Sequence, residues 1–160
     1  MKLLSTGNGT ISQMLRSLKN IIEWTGLNPS KLTSDWGSLD LAASTWLRSG
    51  HLVKIILEIY NSNGLVGRWD FSIDYTYGSD DNGSFWIDHE SIRHGIAKSG
   101  TSSISCDYRI VMTTKDGAPH VNGWGPTELR TTEGYIYQSV GTTIGTQAIG
   151  SQLGYWRKKE

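Results

Sequence analysis

His89, Glu90 and His94 stand close together, and zinc-hydrolase chemistry is the first possibility they raise. A helical zinc site needs its imidazoles four residues apart, so that both project from one face. Here the histidines are five residues apart, which turns a helix by roughly 140° and points the rings away from each other. The pair therefore reads as a solvated helix face. His51 and His120 are isolated, with no nucleophile beside them. Cys106 is the only cysteine, so no internal disulfide forms. Its place in an alternating apolar run makes it an inert core thiol. No Gly-x-Ser-x-Gly elbow is present. Lys98-Ser99 lacks the preceding glycine of a phosphate loop, and Gly123-Trp124-Gly125 has Glu128 where a dinucleotide fingerprint needs its third glycine. Asp80-Asp81-Asn82-Gly83 brings its glycine too early for a calcium loop and reads as a turn. These residues offer no catalytic set, no metal site and no cofactor site. A hydrolase built on His94 or Cys106 has little support.

The features that remain point to binding. From Gly134 to Trp156 there is no Asp, Glu, Lys or Arg, and Gly141, Gly145, Gly150 and Gly154 punctuate the stretch. Surface loops usually carry charge and core segments more aliphatic residues. A segment that is neither is suited to wrapping something, and glycine lets it change path. Aromatic residues mark its two ends, at Tyr135 and Tyr137 and at Tyr155 and Trp156. The chain has seven tryptophans, which raises a carbohydrate- or ligand-binding surface as the alternative function. Trp24, Trp46 and Trp69 fall on expected core faces. Trp124 and Trp156 lie outside regular elements and either pack the tail down or clamp a partner.

Composition narrows the class further. The 160 residues suit one domain with a real core. With 15 basic and 15 acidic residues, the electrostatic footprint of a nucleic-acid binder is absent. Arg157-Lys158-Lys159 reads as a solvated terminus. No apolar run reaches the length of a signal core or a membrane span. A cytoplasmic protein with no membrane partner is expected. The glycosylation patterns at Asn8 and Asn82 carry no meaning without export.

The elements that must position these residues can be read from periodicity. Thr10 is a suitable N-cap, after which Ile11, Leu15, Leu18 and Ile22 recur at helical spacing until Gly26 and Pro29. Residues 1–9 read as a loose lead-in. A second helix is expected from Asp35 to Ser49, with Leu39, Ala42, Ala43, Trp46 and Leu47 on its apolar face. The period then changes to two. His51–Tyr60 is a strand with Val53, Ile55, Leu57 and Ile59 on one face and Leu52 and Ile56 on the other, so both faces are partly covered. Asn61–Gly64 is a turn. From Arg68, Trp69, Phe71, Ile73 and Tyr75 alternate with Arg68, Asp70, Ser72 and Asp74, which completes an antiparallel hairpin. A polar loop follows at Gly78–Gly83. Asp88 caps a third helix carrying Ile92 and Ile96 and ending at Gly100. Ile104–Thr114 is a third strand with Cys106, Tyr108, Ile110 and Met112 on one face. This order predicts an α+β fold, with helices on one face of a small antiparallel sheet.

Several separated blocks resemble a known family. Leu15-Arg16-Ser17-Leu18-Lys19-Asn20-Ile21-Ile22 with Thr25-Gly26-Leu27-Asn28-Pro29 is similar to the first helix and turn of bacterial HORMA-domain proteins. Trp46-Leu47, Val53–Tyr60, Arg68-Trp69-Asp70, Gly83-Ser84-Phe85-Trp86 and Gly154-Tyr155-Trp156-Arg157 extend the resemblance over nearly the whole chain. It implies a single HORMA domain over residues 1–160, with a three-helix and β-sheet core at 10–114 and a C-terminal safety belt at 115–160. In the closed state such a belt wraps a closure-motif peptide of a partner, which adds as a strand to the sheet edge. Family members accompany CD-NTase-type nucleotidyltransferases in CBASS-type anti-phage operons. The closed form activates the enzyme, an AAA+ ATPase reopens the domain, and a second HORMA protein is a further candidate partner. On this resemblance the peptide edge is the backbone of Cys106–Thr114, with Cys106, Tyr108, Ile110, Met112 and Thr114 along it. Trp124, Tyr135, Tyr137 and Trp156 are belt contacts or anchors. The lead-in is too short to supply its own bound peptide, and it is a candidate handle for the ATPase.

Overall fold

The computed structural model describes residues 2–74, 86–87, 106–145 and 150–158. Helix α1 spans Lys2–Trp24. Its stripe of Ile11, Met14, Leu15, Leu18, Ile21 and Ile22 is fully buried, as the 3.6-residue period requires. The helix starts earlier than Thr10, so the lead-in is helical and not loose. Extending an existing helix adds a hydrogen bond for each residue fixed, whereas starting one does not. That difference carries the backbone through Gly7 and Gly9 against their poor propensity. At the other end the Leu27 N–H reaches back to the Ile22 carbonyl at 2.9 Å and the Gly26 N–H to Glu23 at 3.0 Å. Gly26 sits at φ 88°, the left-handed position of a Schellman cap.

One short helix, α2 (Ser30–Ser34), was not signalled by periodicity because one turn cannot show a period. Helix α3 spans Trp36–Arg48, with Asp35 just before it and Leu39, Ala42, Ala43, Trp46 and Leu47 buried, in agreement with the expected segment. The helix expected at 88–100 lies outside the described residues, as do His89, Glu90, His94, Lys98, the 78–83 loop and the side chain of Tyr75.

The strands are β1 (Leu52–Asn61), β2 (Gly64–Asp74), β3 (Trp86–Ile87), β4 (Asp107–Thr114), β5 (Tyr135–Gly145) and β6 (Gly150–Lys158). They form one antiparallel sheet in the order β3-β5-β6-β2-β1-β4. β1 and β2 make the expected hairpin, with a register irregularity at Ile59/Tyr60 and the Asn63 N–H held by the Asn61 side chain at 2.8 Å. Helices α1 and α3 pack together over one face of the sheet. That face contributes Ile55, Leu57, Ile59, Trp69, Phe71, Leu153 and Tyr155 to the core. Leu52 joins the same core in place of the expected Val53, which is only partly buried, because a second irregularity between Leu52 and Lys54 shifts the alternation there.

The resemblance predicts a strap over residues 115–160, which includes the charge-free stretch. It divides in two. Residues 115–134 are irregular, while β5 and β6 are built into the sheet, with β6 between β5 and β2. Central strands need residues that can be buried without stranding a charge, and the tail provides them.

Candidate functional site: an open strand edge under a crossing strap

β4 ends the sheet, and among the described residues β1 is its one strand neighbour. The register sets Tyr108, Ile110 and Met112 opposite Ile59, Leu57 and Ile55, so these three side chains face the helices. Arg109 and Val111 face the other way, opposite Glu58 and Ile56. Just past the strand, the Lys115 N–H bonds inward to the His51 carbonyl at 2.8 Å. Backbone groups alternate in direction along a strand. The N–H and C=O groups of Thr114, Met112, Ile110 and Tyr108 therefore point outward, to the open edge. The Tyr108 carbonyl is already taken there, by Lys31 Nζ at 2.7 Å.

Residues 118–130 cross this edge from one face of the sheet to the other. On the helix face the Trp46 indole donates to the Pro119 carbonyl at 2.7 Å, Val121 is buried in the core, and Trp124 packs edge-on against Trp46 at 5.7 Å. On the opposite face Arg109 donates to Thr127 Oγ1 at 3.0 Å and to the Glu128 carbonyl. The crossing ends on Glu58, whose side chain is completely buried. Glu58 Oε1 accepts from Arg109 Nε at 2.7 Å and from Arg130 Nη1 at 2.5 Å, and Oε2 accepts from the Arg130 amide at 2.8 Å. Arg130 also lies 3.6 Å above the Tyr60 ring. Burial pushes the Glu58 carboxyl up, but the Arg130 amide and the two guanidiniums outweigh it, and its pKa falls below the usual carboxylate value.

Between β4 and the crossing segment lies a groove of about 530 Å³, bordered by Val111, Met112 and Thr113 on one side and Val121, Trp124 and Leu129 on the other. A second hollow of about 290 Å³ adjoins it on the helix side, between Leu39, Ile110 and Trp124, with Lys31 and Asp35 at its rim. Trp124 borders both.

The residues singled out from sequence fall into two groups. Tyr108, Ile110, Met112, Thr114 and Trp124 lie at the edge and groove, and Cys106 sits one residue before β4 with its thiol pushed up by burial. Tyr135, Tyr137 and Trp156 do not join them. They sit on β5 and β6, and β6 is three strands from β4, about 14 Å at ordinary strand spacing. The Tyr135 hydroxyl donates to the Leu65 carbonyl. Tyr137 packs on Trp156 at 5.1 Å, and Arg68 lies 5.4 Å over the Trp156 ring. Beneath them Arg68 grips the fully buried Asp70 with two bonds of 2.8 Å. These three aromatics anchor the terminal hairpin to β2. Among the described residues no group of three or more His, Cys, Asp or Glu could hold a metal, and no helix is long and apolar enough to cross a membrane.

The model of the family described as bacterial HORMA domain 2 matches residues 7–159. The chain belongs to this family. No curated protein matches its sequence. Among solved structures, this HORMA domain is similar to a chain of a mitotic checkpoint complex, with a TM-score of 0.67 at 10% identity over 98% of each chain. It is similar to C. elegans HTP-2 bound to a HIM-3 closure motif, with a TM-score of 0.60 at 12% identity over 92% of this chain and 89% of the other. It is also similar to a chain of the E. coli MS115-1 CdnC:HORMA-deltaN complex, with a TM-score of 0.61 at 10% identity over 98% and 90%. At these identities the likeness is one of fold.

Sequence reasoning missed the ion cluster that fixes this HORMA domain's crossing segment. Glu58, Arg109 and Arg130 are far apart in the chain and match no motif. One signal was available. Glu58 is a lone carboxylate in the apolar run Ile55-Ile56-Leu57-Glu58-Ile59, and a buried carboxylate needs a cationic partner.

Proposed function

We propose that this HORMA domain is a non-enzymatic, peptide-binding switch, and that residues 115–134 act as the crossing part of its safety belt. The observation that carries this reading is the outer edge of β4, which has no strand neighbour among the described residues and lies under a segment that passes around it from face to face. An edge strand offers backbone donors and acceptors in a row, and a peptide that pairs with them becomes a further strand. The outward groups of Ile110, Met112 and Thr114 are the pairing sites, and Trp124 is the belt contact. Tyr135, Tyr137 and Trp156 hold the belt's far end in place. The similar C. elegans HTP-2 structure is bound to a closure motif, which supports a peptide as the guest.

When closed on its peptide, the domain binds and activates a CD-NTase-type nucleotidyltransferase in CBASS-type anti-phage defence, in the cytoplasm. The similarity to a chain of the CdnC:HORMA-deltaN complex supports this choice of partner. An AAA+ ATPase reopens the domain by engaging residues 1–9, and a second HORMA protein is a further candidate partner. The test is reconstitution of the nucleotidyltransferase with and without this protein and its peptide, read as cyclic oligonucleotide formed. Product should rise only when both are present. Equal product without the peptide would refute the switch, and no rise with both would refute activation.

A further inference from the structure

Three features restrict what the groove can hold, if it is the peptide site proposed above. The first is length. Lys31 Nζ occupies the Tyr108 carbonyl at 2.7 Å, and the chain turns inward again at Lys115, whose N–H bonds to His51. The free edge therefore runs from Ile110 to Thr114. The second is charge. The groove lining contains Trp46, Met112, Val121, Trp124, Pro126 and Leu129 with the exposed His120, and among the described residues no Asp, Glu, Lys or Arg borders it. A guest charge placed between Met112 and Leu129 would lose its hydration and find no carboxylate, ammonium or guanidinium partner among the described lining residues. The third is an imbalance of hydrogen bonds. Trp124 Nε1 and Thr113 Oγ1 are buried and have no hydrogen-bond partner among the described residues, and both side chains border the groove. Buried polar atoms are normally partnered.

These two orphans make different demands. An indole N–H can only donate, whereas a hydroxyl can donate or accept. Trp124 therefore requires an acceptor, and Thr113 is less selective. They also lie on opposite sides of the guest's path. Trp124 packs with Trp46 on the helix side, while Thr113 shares the alternation of Val111 and Arg109 on the other. Adjacent guest residues would meet them in turn, because strand side chains alternate.

We infer that the groove selects a short uncharged strand of about five residues, matched to the free edge, that sets a side-chain hydrogen-bond acceptor against the Trp124 indole. Ser, Thr, Asn and Gln supply that acceptor without charge. Trp124 is then a specificity residue, and Thr113 tunes the neighbouring position.

The full-length protein is panned against a displayed library of random nonapeptides, and enriched sequences are remade as capped, fluorescent peptides for anisotropy. The expected result is a five-residue window free of Asp, Glu, Lys and Arg, with a polar uncharged residue at one fixed position. Changing that residue to Ala should weaken binding about tenfold to the parent protein and less than about twofold to Trp124→Phe, the size of one lost hydrogen bond. Trp124→Phe keeps an aromatic ring against Trp46. A second arm avoids the ring altogether. Thr113→Val should bind peptides with Val at the adjacent position about threefold better than the parent does, since the orphaned hydroxyl is gone. Charged residues inside the window, or an equal loss on both proteins, would overturn the inference while leaving peptide binding intact. So would a Thr113→Val protein that shows no change of preference. A uniform loss for every peptide on Trp124→Phe would assign the indole to guest backbone and overturn it too. Absence of any enriched peptide would remove the peptide-binding reading, and this inference with it.

Discussion

Glu58 is the residue on which the crossing segment is fastened. Its carboxylate is fully buried and takes hydrogen bonds from Arg109, from the Arg130 side chain and from the Arg130 amide. Hydrogen bonds to a charged group contribute about 1.5–3 kcal/mol each when buried, and removing one partner leaves the others stranded. Glu58→Gln keeps the shape and removes the charge. It should lower stability by about 2 kcal/mol, since both guanidiniums stay partly exposed and are partly rehydrated. Amide hydrogen exchange should show faster exchange in residues 126–132 than in α1 and α3. Uniform acceleration across the chain would mean that Glu58 supports the whole sheet and not the crossing segment. The pH dependence has a definite sign. The folded carboxyl has a lowered pKa, so its contribution is complete above the unfolded value of about 4.3. It disappears as pH falls through the lower folded value. Acid should therefore release the crossing segment in the parent protein and change little in Glu58→Gln.

At the scale of elements, what could be read in advance follows from periodicity. α1, α3, β2 and β4 have clean periods of 3.6 or 2, β1 is an apolar run covered on both faces, and each is legible within a few residues except at the start of α1. β5 and β6 were not read as strands. β5 is rich in the strand formers Tyr, Ile, Val and Thr, but glycines interrupt both segments and their apolar residues do not alternate cleanly with polar ones, so pairing in the sheet decides their conformation. Gly154 illustrates how. It pairs with Asp70 and Ser139, and a side chain added there would run into the Tyr137 ring. Tyr137 lies across the glycine and packs on Trp156, so the glycine is required by its cross-strand neighbour and not by a turn. Gly154→Ala should lower stability by about 1 kcal/mol, because the half-exposed ring must swing off Trp156. In a Tyr137→Ala background the same substitution should have almost no effect. An equal loss in both backgrounds would show that Tyr137 is not the obstacle. The direction of the β4 backbone gives a sharper test. Proline is tolerated on an edge strand where its missing N–H faces outward. Met112→Pro should remain folded yet lose at least about tenfold in peptide affinity. Val111→Pro, whose N–H faces β1, should melt far lower. Retained affinity in Met112→Pro would show that the guest does not pair with this edge. The edge strand and Trp124 were legible from sequence, but the crossing point was not. It depends on Glu58, Arg109 and Arg130, which only the fold brings together.

The whole molecule couples its two ends through these ties. The crossing segment is fastened by apolar packing at Val121 and Trp124 on one face and by ions at Glu58 on the other. Under the proposed function a guest beneath it leaves only when one fastening opens, so affinity should reside mainly in slow release. Arg130→Ala loosens the ionic fastening without touching the groove. It should raise the peptide dissociation rate about tenfold and change the association rate by less than about threefold, as stopped-flow anisotropy would measure. A matching fall in association would mean that Arg130 shapes the empty groove and does not gate release. The other end of the chain offers the means of opening. Lys2–Gly9 is continuous with the helix that carries Ile11 to Ile22 into the core. Force applied to this segment therefore acts on the core that supports β5 and α3, both of which pack against α1. Under the proposed function, deleting residues 2–9 should leave peptide binding unchanged, because the core-packed stripe from Ile11 to Ile22 is retained. ATP-driven release by the remodelling ATPase should stop. Release at the parent rate after this deletion would place the ATPase's grip elsewhere on the molecule.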